Sequence, residues 1–150
     1  MDLILWRHAE AVDGQPDLAR KLTPKGVKQA KALAQWLSSR LPEQTRIIVS
    51  PAKRTQQTAA ALTDEFEIEH KLAPGAPPTA LLAAAGWPGH RGTVVIVGHQ
   101  PTLGMAAALV IAGKPMPWSI KKGAIWWLSH RVHGEHAQVV LRSVISPDLL

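Results

Sequence analysis

Apolar residues along the chain fall into two alternating patterns, short unbroken runs and longer stretches spaced by three and four. Leu3-Ile4-Leu5-Trp6, the segment Thr45 to Ser50 and the run Thr93 to Val97 are continuous apolar tracts bounded by polar residues, as strands covered on both faces require. Between them, Val27, Ala30, Leu33, Ala34, Leu37 and Leu41 recur at helical spacing after Thr23-Pro24, a hydroxyl cap followed by proline in the first turn, and this helix is expected to run up to Pro42. Ser50-Pro51 repeats that signal and predicts a helix to about Thr63. Phe66 to Leu72 alternates and carries charges, which predicts an edge strand. A short helix to about Ala85 follows the Pro74–Pro78 loop, and a second spans Gln100 to Ala112. Ala124–Ser129 and Ala137–Ile145 read as a closing hairpin around Gly134. Strands alternating with helices give an α/β fold, expected as a three-layer α/β/α sandwich on a mostly parallel central sheet, in one domain over residues 1–150.

The absence of cysteine removes disulfides, thiolate catalysis and sulfur-bound zinc. No apolar tract is long enough to cross a bilayer, so a soluble, cytoplasmic protein with no membrane contact is expected. A formal charge of +6 asks for an anionic partner. Lysines gather at Lys21, Lys25, Lys28 and Lys31, on what reads as the solvent face of one helix, and at Lys121-Lys122; no aromatic residues are interleaved with them, which argues against nucleic acid. His130, His133 and His136 are evenly spaced, but the segment crosses the turn at Gly134 without a supporting acid, so no metal site is expected.

Candidate chemistry collects where strands end. The first delivers Arg7-His8, the second leads into Arg54, and the fourth ends in Gly98-His99. Ligands of α/β sheets bind outside the carboxyl ends of the strands, so these remote residues can share one crevice. Gly98 is expected to turn the chain sharply, and the helices opening near Pro51 and Gln100 aim free N–H groups at the same place. Two guanidinium groups and two imidazoles, with no obvious carboxylate beyond Glu10, which is expected in a solvated loop, suit a tetrahedral dianion such as phosphate. A neutral imidazole is a competent nucleophile at phosphorus.

In this order, Arg7-His8-Ala9, Leu22-Thr23-Pro-Lys-Gly26, Ser50-Pro51-x-x-Arg54-x-x-Gln57-Thr58 and Gly98-His99 resemble the histidine phosphatase superfamily, which is phosphoglycerate mutase-like in fold. The family pattern has glycine where this chain has Ala9. The resemblance implies His8 as a transiently phosphorylated nucleophile, with Arg7, Arg54 and His99 holding the phosphoryl oxygens, Arg20 as a further phosphate contact, and no metal or other cofactor. Gln57-Thr58 is expected to serve packing and local hydrogen bonding.

Larger relatives carry a glutamate-rich segment between the second arginine and the second histidine that protonates alcohol leaving groups. Here the stretch Pro74–Gly92 contains no acid. The small size and missing acid are similar to the SixA-type phosphohistidine phosphatases, which implies a phosphorylated protein as substrate, entering an open mouth. Two alternatives stand beside that expectation: a broad small-molecule phosphomonoesterase on the same fold, and a catalytically silent phosphate-binding module.

Overall fold

The computed structural model describes residues 1–150. Six strands form one sheet: β1 (Asp2–Arg7), β2 (Arg46–Val49), β3 (Glu67–Ile68), β4 (Thr93–Gly98), β5 (Ile125–His133) and β6 (His136–Ile145), in the spatial order β3-β2-β4-β1-β5-β6. The first four pair in parallel, while β5 lies antiparallel to β1 and carries β6 as a hairpin. Helices α1 (Pro24–Ser38) and α2 (Lys53–Ala60) cover one face, α3 (Pro78–Ala85) and α4 (Thr102–Ala112) the other.

Because successive strand residues point to opposite faces, the apolar runs supply both layers at once. Leu3, Leu5, Val94 and Ile96 pack with Leu81, Leu103 and Ala107, whereas Ile4, Trp6, Val95 and Val97 pack with Leu33, Leu37 and Ala59. The three-layer architecture is the one expected. No helix is long and apolar enough to cross a membrane.

Several boundaries differ from expectation for identifiable reasons. Thr23 caps α1 as expected, accepting from the Gly26 amide at 2.9 Å, but regular helix ends at Ser38, before Leu41. The edge strand shrinks to Glu67–Ile68 and becomes a 3-10 turn at His70–Leu72, because the Glu69 carboxylate accepts from the Lys71 amide and ends the ladder. Ser50 does not cap α2. That helix starts at Lys53 after Ala52; the Ser50 hydroxyl accepts from the Ala52 amide at 3.3 Å, short of the helix itself, and is engaged by His99 at 2.6 Å. Gly98 makes no sharp turn: it stays in β4 opposite Arg7, and a methyl group there would meet Leu103 only at an ordinary 3.5 Å.

Candidate active site

The site is built from the ends of β1 and β4. Beyond Arg7 the chain is still held as if in the sheet: the His8 amide donates to the Gly98 carbonyl at 3.1 Å, and the Gly123 amide donates to the His8 carbonyl at 3.0 Å. The Ala9 amide then donates to Thr58 Oγ1 at 3.0 Å, and that hydroxyl donates to the Arg54 carbonyl at 2.8 Å. One threonine thereby ties the residue after His8 to the helix that carries Arg54. Gln57 accepts from the Leu22 amide at 2.7 Å, a bond to a segment 35 residues away rather than the local one expected of it. Ala9 is fully buried against Leu22 and Ala30, so its methyl group fills space.

The imidazoles of His8 and His99 lie with ring centroids 5.4 Å apart, both almost wholly buried. A carbonyl only accepts, so the 2.8 Å contact between His8 Nδ1 and the Ala9 carbonyl places the proton on Nδ1 and leaves the Nε2 lone pair free. A guanidinium only donates, so the 3.4 Å contact from Arg54 Nη2 makes His99 Nδ1 an acceptor. His99 Nε2–H then donates to Ser50 Oγ at 2.6 Å. Burial, assisted by the charges of Arg54 and Arg7, pushes His8 down to about 4; burial, Arg54 and His8 push His99 down to about 3. Both rings are neutral at pH 7.

Arg7 and Arg54 approach from different sides. Arg7 Nη1 donates to the Ile120 carbonyl at 2.8 Å, and Arg54, one of the least exposed charged residues, donates through Nη1 to the Asp17 carbonyl at 2.9 Å. The Nε–H of each is buried without a partner. Two orphaned guanidinium donors beside two neutral imidazoles form a seat for a multivalent oxyanion.

Asp17 is the residue that sequence reasoning missed. Its carboxylate lies 3.1 Å from Arg54 Nη2 and 3.0 Å from Arg20 Nη1, so the expectation that the arginines had no acid to pair with is corrected. Hydrogen bonds from Arg20 and Arg54 hold the Asp17 carboxyl below the usual carboxylate range. Arg20 itself donates to the Val12 carbonyl and to Asp17, which makes it a brace on this loop; its charge still reaches His8. Glu10 is not a free solvated side chain: it accepts from the Thr23 hydroxyl at 2.7 Å. The hairpin histidines do not converge, since His130 packs edge-on against Trp87 while His133 faces His136 across the strand pair.

The sequence profile of the histidine phosphatase superfamily (branch 1) matches residues 3–76. The chain is 27% identical over 126 residues to phosphohistidine phosphatase SixA of Escherichia coli (strain K12), covering 78% of each protein. A structure provisionally assigned as SixA of Nakamurella multipartitia superposes with a TM-score of 0.78 at 29% identity, over 97% of this chain and 95% of that one. The protein histidine phosphatase SixA complexed with tungstate shares the fold, with a TM-score of 0.80 at 24% identity over 99% of both chains.

Proposed function

From membership of the histidine phosphatase superfamily (branch 1), to which this chain belongs, we propose that it hydrolyses phosphohistidine on proteins through a covalent phosphohistidine on His8. The His8 Nε2 lone pair attacks phosphorus, and the bond to the substrate's ring nitrogen breaks with its electron pair returning to that ring. If the distal nitrogen of the leaving ring carries a proton, the ring departs neutral. Arg7 and Arg54 hold the phosphoryl oxygens, and His99 joins them through Nδ1 once the bound anion draws a proton onto that nitrogen; the two guanidinium charges do the work for which many phosphoryl transfers use a metal. Phosphorylated His8 keeps its Nδ1 proton on the Ala9 carbonyl. When water attacks phosphorus in the second step, the bond to Nε2 breaks and His8 likewise leaves as a neutral imidazole, while the proton lost by water passes to phosphate or solvent.

One observation carries the choice of substrate. The carboxylate that reaches this site, Asp17, is held ionised by Arg54 and Arg20 and has no proton to give at neutral pH. An alkoxide leaving group needs such a proton; a protonated ring joined through a labile phosphorus–nitrogen bond does not. The names of the SixA relatives agree with this reading.

The purified chain, assayed with a chelator present, should turn over a histidine-phosphorylated domain with kcat/KM well above that for sugar phosphates and phosphoglycerate. A clear preference for the alkyl phosphates would replace this substrate with the phosphomonoesterase reading and leave the chemistry at His8 standing.

A further inference from the structure

A groove of about 590 Å³ opens beside the site, lined by Lys25, Lys28 and Gln29 of α1, by Lys121 and Lys122 before β5, and by Glu10 and Asp148. Of its four lysines, Lys121 pairs with Asp148 at 3.3 Å; Lys25, Lys28 and Lys122 have no carboxylate within 4.0 Å. Of its two acids, Asp148 is occupied by that pair and Glu10 by the Thr23 hydroxyl. The groove therefore presents a net positive face assembled from two lysine clusters far apart in sequence.

This face is joined to the catalytic rim through the backbone. Ile120, whose carbonyl takes Arg7, and Gly123, whose amide holds the His8 carbonyl, flank Lys121-Lys122. Gly123 adopts φ +76, and a Cβ there would sit 2.9 Å from Pro147 Cγ, so glycine is what lets the lysine turn close over the C-terminal segment. On the other wall, the Glu10 amide, two residues past His8, donates to Gln29 at 2.9 Å. A protein whose phosphohistidine reaches His8 must lay its neighbouring surface near this groove.

We infer that the Lys25, Lys28 and Lys122 face is the docking surface for the acidic surroundings of the phosphohistidine on the substrate protein. The inference rests on the proposed function and adds which surface selects the partner, and by what chemistry. The groove is wide, its lysines are solvated, and it holds no buried orphaned donor of the kind that Arg7 and Arg54 offer, so it suits several carboxylates on a folded surface better than one small anion. No aromatic side chain lines it, which disfavours stacked nucleic acid bases. Solvated charges of this kind steer encounter and fix partner choice, and salt screens them.

The test compares wild type with the triple variant K25E/K28E/K122E on three substrates: phosphoimidazole, a small histidine-phosphorylated domain with acidic residues around its phosphohistidine, and that domain with those carboxylates changed to amides. The variant should raise KM for the acidic domain roughly tenfold or more, with kcat little changed, as expected for reversed rim charges. Phosphoimidazole turnover should be unaffected, which also shows that the variant folds. The amide domain should reproduce the high KM with wild type, and added salt should erase the difference. An unchanged KM for the acidic domain, with phosphoimidazole still hydrolysed, overturns the docking surface and leaves the proposed function intact. Failure of wild type to hydrolyse either the domain or phosphoimidazole removes both. If the variant loses oligonucleotide binding but keeps its KM for the acidic domain, the groove belongs to nucleic acid instead.

Discussion

The two halves of the sheet treat histidine in opposite ways. In the parallel half, His8 and His99 sit at the rim of β1 and β4, buried, each with one ring nitrogen assigned by a specific acceptor and each depressed well below 6.5. In the antiparallel half, His130, His133 and His136 lie along a hairpin whose outer residues are exposed; His130 meets Trp87, and His133 and His136 are paired in register across the strands. The residue type is the same. What differs is enclosure: the rings of His8 and His99 are buried and their nitrogens are engaged by the Ala9 carbonyl, Ser50 and Arg54, which fixes each ring before any ligand arrives.

The comparison breaks most visibly at His8. Replacing His8 with Asn should lower turnover of a phosphohistidine substrate by about four powers of ten or more, the scale of losing a nucleophile. Tungstate should still bind in calorimetry, because Arg7 and Arg54 remain. Arg54→Ala should cost roughly two to three powers of ten in kcat/KM, as for one preorganised donor. It should also weaken tungstate binding, which separates it from His8→Asn.

The pH dependence sharpens the same contrast. Folded values near 4 and 3 lie below the ordinary 6.5, so on acidification the unfolded chain takes up protons that the buried rings refuse. The contribution of these rings to stability is complete above about pH 6.5 and declines as pH falls toward 4. Imidazole resonances of His8 and His99 should stay in their neutral positions at pH 5.5, and the melting temperature should fall between pH 6.5 and 4. Titration of either ring near 6.5 would remove the preorganisation argued for the rim. The smallest effect belongs to the hairpin: His133→Ala and His136→Ala should each change stability by no more than about 0.5 kcal/mol and leave turnover unchanged.

The parallel half was also the legible half. Unbroken apolar runs at 3–6 and 93–97 announce strands buried on both faces, and such strands leave their next residues at one common rim; this is why Arg7, His8, Arg54 and His99 could be brought together from spacing alone. Asp17 could not. It opens a short 3-10 turn, Asp17–Ala19, in a segment with no period, placed by backbone bonds such as Val12 to Lys21 and Thr23 to Glu10, and its partner Arg54 is 37 residues away. Ser50 before proline signals a helix cap locally, while the buried ring that claims its hydroxyl comes 49 residues later. The lysine spacing by itself signals a solvated helix face; only the turn at Gly123 brings Lys121-Lys122 beside Lys25 and Lys28. The short third strand failed for the converse reason, since local capping by Glu69 overrode an alternating pattern.

The central claim is that one ring nitrogen, Nε2 of His8, takes the phosphoryl group because its other nitrogen is committed to the Ala9 carbonyl. Rapid quench in base during turnover, followed by phosphorus and nitrogen NMR of the trapped protein, measures this directly. A single acid-labile phosphoramidate on Nε2 of residue 8 is the expected result. Phosphate on Nδ1, on another residue, or on no residue at all would contradict it.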